Sequence, residues 1–318
     1  MPESTQLYQI PPEFSGLRLD QALAKLLPDF SRSRLQIWIR EGRVRVDGES
    51  ATPRLRLIGG ESVEVEEIPV TVEPPPAAEA MDLDIVFEDP HLIVINKPAG
   101  LVVHPGAGIA SGTLLNGLLH HDPALNEIPR AGIIHRLDKE TSGLMVIART
   151  LQSHKFLTDL LAEREVTREY LTLVHGWIIA GGTVDEPIGR HRSERTRMAV
   201  TMGGREARTH YRIDRHWPHH TLLRVQLETG RTHQIRVHMR HIKHPVVGDP
   251  TYGTRTQPPA RCGTELRNGL LGFKRQALHA TRLGLIHPKS GEAMEWQRPI
   301  PDDFQNLVNL LDQEYEQP

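Results

Sequence analysis

The sequence has little of what would place it in several common classes of protein. It contains one cysteine, Cys262, which excludes a framework of internal disulfides and fits a reducing compartment. No apolar run reaches the ~20 residues that cross a bilayer. The N-terminal stretch MPESTQLYQI also lacks the basic start and apolar core of a secretory signal. We therefore expect a cytoplasmic protein that makes no contact with a membrane.

An excess of positive charge is also lacking overall, although it occurs locally. The formal net charge of -2 argues against a uniformly basic coat for nucleic acid. Three stretches are nevertheless basic. Residues 32–45 hold five arginines and one acid, 190–215 hold eight arginines and three acids, and 231–244 hold three arginines, one lysine and four histidines without an acid. One such run is usually a solvated face, but three in one chain favour a phosphate backbone as partner.

The length and the pattern of apolar residues indicate two domains of unequal size. A chain of 318 residues exceeds one typical domain of roughly 100–200 residues. Residues 16–67 predict a small α/β module, in which Trp38 falls in register with the apolar face of a helix and is expected to be core. Three consecutive prolines within 68–81 predict a semi-rigid linker. A larger domain is expected over 82–312.

The larger domain alternates strand-like runs with turns. DIVFEDPHLIVINKPAGLVV predicts a hairpin, EYLTLVHGWII and TLLRVQLE predict strands, and ATRLGLIHPKSGEAMEWQRP predicts a second hairpin around 288–291. Few helices are indicated, chiefly over 151–164 and 232–242, where apolar residues recur at helical spacing. The fold class expected from these elements is α+β, with a mixed and mostly antiparallel β-sheet.

One segment of this domain places an acid between two apolar runs. In AGIIHRLDKETSGLMVIA, the runs 132–134 and 144–148 predict buried strands, and Asp138 lies between them with Arg136 and Lys139 on either side. A side chain at the end of a strand can be held rigidly and still face a cleft. Asp138 is therefore a candidate for chemistry and not for packing.

A second segment places a cation in a similar position. In LETGRTHQIRVHMRHI, Arg231 lies on the turn between a strand and a helix for which Thr232 is the expected cap. Asp138 and Arg231 could supply a carboxylate and a guanidinium to one site. A purely structural ion pair between them fits the spacing equally well.

Several other kinds of site are disfavoured by the residues around them. The histidines at 233, 238, 241 and 244 alternate with arginines and a lysine, with no cysteine or nearby carboxylate, so a zinc site is not expected. Glycine motifs that cradle phosphates and the nucleophile elbow of serine hydrolases are not found. We therefore predict neither a metal nor a small-molecule cofactor.

Several motifs in order along the chain resemble one enzyme family. HRLDKETSG at 135–143, NKPAGLVVHPG at 96–106, REYL at 168–171 and TGRTHQIRVH at 229–238 resemble the RluA family of pseudouridine synthases. Residues 16–66 resemble the S4-like RNA-binding module that many members carry. The stretches GTVDEPIGRH, RTRMAV, HPVVGDPTYG and RQALHA are similar to members that act on 23S rRNA, in the hairpin loop of helix 69.

The resemblance implies a role for individual residues. Asp138 matches the family's essential aspartate, which must be ionised beside the ribose. Tyr170 would lie against the uracil and serve the removal of the C5 proton, and Arg136 would fill the space that a flipped base leaves. Our hypothesis from the sequence is that Arg231 keeps Asp138 charged, with Arg136 and Lys139 as further candidates for the same role.

The implied partner is 23S rRNA or a precursor of the large ribosomal subunit. The N-terminal module would grip the RNA through phosphate contacts from Arg32, Arg34 and Arg43, of which Arg32 and Arg34 are expected to be free to reach outward. We expect a monomer. Two alternatives to this function are a non-catalytic RNA-binding or ribosome-assembly factor and a paralogous synthase that acts on another rRNA or tRNA site. A glycosidase-like hydrolase usually needs a second carboxylate, and Glu140 lies on the same turn with no partner of obvious role.

Overall fold

In the computed structural model of the protein, the chain divides into two compact units, Met1–Pro75 and Pro76–Pro318. The described residues are 4–28, 30, 32–67, 77–106, 108–194, 196–253 and 258–315. Most of the predicted linker therefore lies outside the described residues. Its last part lies in the larger unit, where the Asn116 side chain donates to the carbonyl of Ala77 at 2.7 Å.

The N-terminal unit is a four-stranded sheet with two helices. Trp38 is 2% exposed within its hydrophobic core, which confirms the prediction from helical register. The first strand was not predicted, since it lies ahead of residue 16, yet it pairs with β4 over six residues. The strands follow the order β1-β4-β2-β3. The elements are β1 (Ser4–Gln9), α1 (Leu19–Leu26), α2 (Arg32–Arg40), β2 (Val44–Val46), β3 (Glu49–Ser50) and β4 (Ser62–Glu67).

A buried carboxylate joins the two helices of this unit. The Asp20 side chain is fully buried and accepts hydrogen bonds from Arg18, Arg32 and Gln36. Burial alone would raise the pKa of Asp20, but the hydrogen bonds from Gln36 and Arg32 outweigh it and lower the pKa. Arg32 is thus held by a structural partner and is not free as expected, although its side chain is 45% exposed.

The larger unit is built on a nine-stranded sheet in the order β5-β6-β7-β14-β8-β13-β12-β9, with β15 paired to β14. Among the described strand pairs, β7–β14 is the only parallel one, so the predicted mixed, mostly antiparallel sheet is confirmed. The nine strands of this sheet are β5 (Ile85–Glu88), β6 (Leu92–Lys97), β7 (Ser142–Ala148), β8 (Thr167–His175), β9 (Gly182–Asp185), β12 (Arg208–Trp217), β13 (His220–Leu227), β14 (Leu278–Ile286) and β15 (Ala293–Gln297). The strands β10 (Ile188–Arg190) and β11 (Met198–Val200) form a separate antiparallel pair. The helices are α3 (Leu114–His121), α4 (Leu151–Ala162), α5 (Gln234–His241), α6 (Thr264–Gly272) and α7 (Asp302–Tyr315).

Both faces of this sheet are covered, which explains the continuous apolar run in β7. Met145 and Ile147 face the cluster that contains α3, α5, α6 and α7, whereas Leu144 and Val146 face the cluster that contains α4. Every residue of β7 is consequently buried. Among the described residues, no helix combines the length and the apolarity of a transmembrane segment.

Both predicted hairpins, the strands β8 and β13 and the helix α4 are confirmed, but the strand predicted at 132–134 is wrong. The chain there forms a 3-10 turn, Pro129–Gly132, and Ile133 makes only an isolated bridge to Ile147. Arg130 and Ala131 have φ values of 55° and 51°, which a strand cannot contain. The helices α3, α6 and α7 were not predicted.

The parallel contact between β7 and β14 requires a glycine. Gly143 has a φ of +115°, and a Cβ there would lie 2.3 Å from the carbonyl oxygen of Ala280, its partner across the ladder. No side chain can be accommodated at that separation without moving one strand. The segment that carries Asp138 leads directly into β7. The close approach of β7 to β14 therefore also fixes the position at which that segment ends.

We expect Gly143→Ala to destabilise the protein by about 2–5 kcal/mol, because backbone strain and steric overlap add. Urea denaturation measures the change. Gly291→Ala is the matched control, since Gly291 has a φ of +74° but open space around its Cβ position, and it should cost only about 1 kcal/mol. Equal costs for the two variants would contradict the close approach.

Candidate active site

The segment HRLD alternates anchored and open side chains. The His135 ring accepts a hydrogen bond from the Val146 N–H at 3.1 Å, and burial lowers the pKa of His135 to about 3, so the ring is neutral and able to accept. Leu137 is 4% exposed and packs in the core, whereas Arg136 is exposed. The backbone carbonyl of Asp138 accepts the Thr141 N–H at 3.0 Å. These contacts hold the Asp138 carboxylate at the surface of a cleft.

The cation that binds Asp138 is Arg236. Its Nη1 donates to Oδ2 of Asp138 at 2.8 Å, and the Arg236 side chain is only 6% exposed. Arg231 instead donates through Nε to the backbone carbonyl of Glu206 at 2.9 Å. The hypothesis that Arg231, Arg136 or Lys139 pairs with Asp138 is therefore wrong. The positive charge beside Asp138 is that of Arg236, which lies five residues after Arg231 on α5.

A second carboxylate holds Arg236 from the other side. Asp249 accepts from Nε and Nη2 of Arg236 at 2.7 and 2.8 Å, and it also accepts the backbone N–H groups of Thr251 and Tyr252. Burial alone would raise the pKa of Asp249, but these bonds lower it. Burial would likewise lower the pKa of Arg236, but Asp249 and Asp138 raise it above its ordinary value. Asp249 and Arg236 are consequently both charged at neutral pH.

The turn before α5 is organised by a buried amide. Oε1 of Gln234 accepts the Thr229 hydroxyl at 2.8 Å and the Arg231 N–H at 2.9 Å, while its Nε2 donates to the Arg208 carbonyl. The predicted cap at Thr232 is wrong, because the residue before the helix is His233, in the left-handed conformation. The Gln234 side chain instead ties the turn to β12, through the Arg208 carbonyl and the Thr209 hydroxyl.

Asp138, the two residues given roles by the resemblance, and Arg231, proposed from its position on a turn, line one cavity of about 740 Å³. Tyr170 is in its wall and 6% exposed, and Arg136 and Arg231 are also part of the lining. The strand register explains why Asp138 and Tyr170 lie in the same cavity. Gly143, Ala280 and Tyr170 lie side by side on β7, β14 and β8, and the turn that carries Asp138 directly precedes β7. Burial raises the pKa of Tyr170; the Arg168 charge opposes this and the Asp138 charge adds to it, so the phenol stays protonated.

The charge of this cavity is strongly asymmetric. Asp138 is the only carboxylate among the described residues that line it. Five arginines line it as well: Arg130, Arg136, Arg168, Arg231 and Arg236. The excess of positive charge in this cavity attracts an anionic ligand. The single carboxylate among these cations is the candidate reactive group.

The arginines assigned to RNA in the N-terminal unit are partly engaged. Arg43 lies 3.3 Å from Glu41 and 3.8 Å from Glu66, and the Arg34 guanidinium lies over the Trp38 ring at 5.4 Å. Arg34 is therefore in contact with Trp38 and is not free as expected. In the second basic run, Arg208 pairs with Asp185 and Glu228. The basic runs are thus not uniform solvated faces.

Sequence reasoning missed four residues of the site: Arg236, Asp249, His233 and Tyr252. Arg236 lies beside Ile235 on α5 and is buried with it, a position where an arginine needs a buried partner. Asp249 follows Gly248 in a turn, where an aspartate commonly accepts backbone N–H groups. Both signals were in the sequence, but neither identifies which acid meets which base across the fold.

Comparison with known proteins identifies the family. Residues 91–241 match the family model described as RNA pseudouridylate synthase, and residues 17–63 match the S4 domain. The chain is 51% identical over 316 residues to ribosomal large subunit pseudouridine synthase D of Haemophilus influenzae, with 99% of this chain and 97% of the relative covered. The proteins of the same name from Pasteurella multocida and Escherichia coli are 54% and 52% identical, and each match covers 95% of this chain and 93% of the relative.

This chain belongs to the RNA pseudouridylate synthase family. It is an isomerase with an N-terminal S4 domain. The fold of the synthase agrees, since human RNA pseudouridylate synthase domain containing 4 aligns with a TM-score of 0.55 and 26% identity, covering 71% of this chain and 92% of that one. Human RNA pseudouridylate synthase domain containing 1 aligns with a TM-score of 0.52 and 27% identity, covering 74% and 87%.

We expect Arg236→Met to destabilise the synthase by about 3–5 kcal/mol, because it leaves the buried carboxylate of Asp249 without its cation. Asp138→Asn is the control and should cost under about 1 kcal/mol, because both bonds between Arg236 and Asp249 remain. Urea denaturation at neutral pH measures both. Similar costs for the two variants would contradict the arrangement.

The pH dependence of the free energy of unfolding should also change sign in Arg236→Met. In the native protein the lowered pKa of Asp249 contributes stability that is present above its unfolded pKa of about 4 and is lost as the pH falls through the folded value. In Arg236→Met the unpaired buried carboxyl has a raised pKa, so stability should fall as the pH rises above about 4.

Proposed function

We propose that this synthase converts uridines of 23S rRNA to pseudouridine, in the hairpin loop of helix 69 in the large ribosomal subunit. The proposal is supported by the names of the relatives, which are ribosomal large subunit pseudouridine synthases D. It also fits a cytoplasmic protein that meets rRNA during subunit assembly. The observation that carries the reaction chemistry is the single carboxylate, Asp138, bound by Arg236 in an arginine-lined cavity.

The reaction requires a nucleotide that has left its stack. A base within a folded RNA has to be extruded before a side chain can reach its sugar. The cavity of about 740 Å³ lies within the range of ~300–1,000 Å³ that suits a ligand of nucleotide size. Its arginines offer partners for the phosphates on either side of the flipped nucleotide. Arg136 is exposed at the rim, so it can enter the space left in the RNA.

Asp138 is proposed to act on the ribose. With Oδ2 held by Arg236, the carboxylate stays ionised and Oδ1 remains available to attack carbon or to take a proton from it. The C1′–N1 bond then breaks, the uracil turns within the cavity and C5 bonds to C1′. N1 ends with a proton in exchange for the one that C5 loses, so the conversion is an isomerisation.

Two further sets of residues would serve binding. Tyr170 would lie against the uracil as a neutral phenol, and Arg231 would contact the RNA near the turn before α5. In the S4 domain, Arg32, Arg34 and Arg43 are proposed to meet phosphates. Their acidic and aromatic neighbours fix the direction of these side chains, and Arg32 is still 45% exposed.

We expect Asp138→Asn to lower the rate by about 10³-fold or more while RNA affinity changes little, as when the key reactive group of an enzyme is removed. Transcribed 23S rRNA with C5-tritiated uridine is the substrate, and tritium released to water is the readout. Asp159→Asn is the matched control, since Asp159 is exposed on α4. Native-rate release by Asp138→Asn would overturn the proposed mechanism.

The same assay separates the other functions. Isomerisation releases tritium and keeps the base attached, hydrolysis frees uracil, and binding alone does neither. The target is tested by mapping pseudouridines on 23S rRNA from a strain that lacks this protein. We expect helix 69 uridines to stay unmodified there and to be restored by the native chain but not by Asp138→Asn. Restoration elsewhere in the rRNA would assign another target.

A further inference from the structure

His233 is held in an unfavourable backbone conformation beside the reactive carboxylate. Its φ and ψ are 59° and 21°, a left-handed conformation that costs a residue with a Cβ about 1–2 kcal/mol. Its side chain lines the cavity, and its Nε2 lies 3.9 Å from Oδ1 of Asp138. Strain of this kind persists where the surrounding contacts over-determine the conformation, which is common at functional sites.

The hydrogen bonds of Tyr252 determine the orientation of the His233 ring. The Tyr252 oxygen accepts the backbone N–H of Met198 at 2.8 Å and lies 2.7 Å from Nδ1 of His233. Burial raises the pKa of Tyr252, so the hydroxyl keeps its proton. Burial also lowers the pKa of His233, although the charge of Asp138 opposes this, so the imidazole is neutral. The hydroxyl therefore donates to Nδ1, and the ring proton lies on Nε2.

This tautomer places an N–H beside one oxygen of Asp138. Oδ2 is already bound by Arg236, and among the described residues no other side chain donates a hydrogen bond to the carboxylate. At 3.9 Å the Nε2–H of His233 does not form a hydrogen bond, but it does favour one orientation of the carboxylate electrostatically. Oδ1 is then the oxygen that stays open to the substrate.

We infer that His233 is a positioning residue for Asp138, and that Tyr252 fixes the tautomer in which the Nε2–H of His233 keeps Oδ1 turned toward the ribose of the flipped nucleotide. The inference rests on the proposed role of Asp138. It assigns to Tyr252 a second task besides supporting Met198 at the start of β11. A misplacement of about 1 Å in a reacting group costs on the order of 10²-fold in rate, so the effect is measurable.

The test compares two amide substitutions by single-turnover tritium release from transcribed 23S rRNA. His233→Gln can place an amide N–H where Nε2 lies, whereas His233→Asn is too short to do so. We expect His233→Asn to lose roughly 10–100-fold in rate and His233→Gln to recover most of that loss, with the Kd for RNA changed less than about 3-fold in both. Equal rates for the two variants would overturn the inference.

A double-mutant cycle tests whether Tyr252 acts through His233. Tyr252→Phe should lower the rate about 10-fold in the native chain but less than about 2-fold in a His233→Ala background. The same cost in both backgrounds would mean that Tyr252 acts only through Met198, and the inference would fail. Asp138→Asn is measured alongside: if it is inactive while His233→Ala keeps the native rate, the positioning role alone fails.

Discussion

The site depends on one buried guanidinium that is shared by two carboxylates. Asp249 binds two nitrogens of Arg236 and leaves a third for Asp138. A guanidinium does not deprotonate in a protein, and its planar donors fix the geometry on both sides. Asp249 can remain buried and charged because two backbone N–H groups also donate hydrogen bonds to its carboxylate. The Asp138 carboxylate is thereby held in a defined place by a buried cation.

The scaffold holds that charge in register with the rest of the cavity. β7, β14 and β8 bring Gly143, Ala280 and Tyr170 side by side, and the turn of Asp138 precedes β7 directly. Helices cover both faces of the sheet, so these strands have little freedom to shift. The cavity is then lined by five arginines and a single acid, and in the proposed function the phosphates of RNA balance the excess positive charge.

The fold class, the hairpins and the candidate Asp138 could be predicted from the sequence, because they depend on local patterns: alternation of apolar and polar residues, turn residues and an acid between apolar runs. The partner of Asp138 could not be predicted. Arg231 lies on the turn before α5 and Arg236 lies on α5 itself, and only the path of the helix decides that Arg236 faces inward. The 3-10 turn before Ile133 was likewise hidden, since Arg130 and Ala131 adopt left-handed conformations that their residue types rarely take. The strand β1 was missed because its partner, β4, lies more than fifty residues away.

The most direct test of this account changes a residue that does not line the cavity. Asp249→Asn keeps the size of the side chain but weakens its hold on Arg236, so the rate of tritium release from transcribed 23S rRNA in a single turnover should fall about 10-fold or more. The Kd for RNA should stay within about 2-fold, because Asp249 is fully buried behind Arg236. A native rate in that variant would contradict the claim that Arg236, held by Asp249, sets the reactive carboxylate in place.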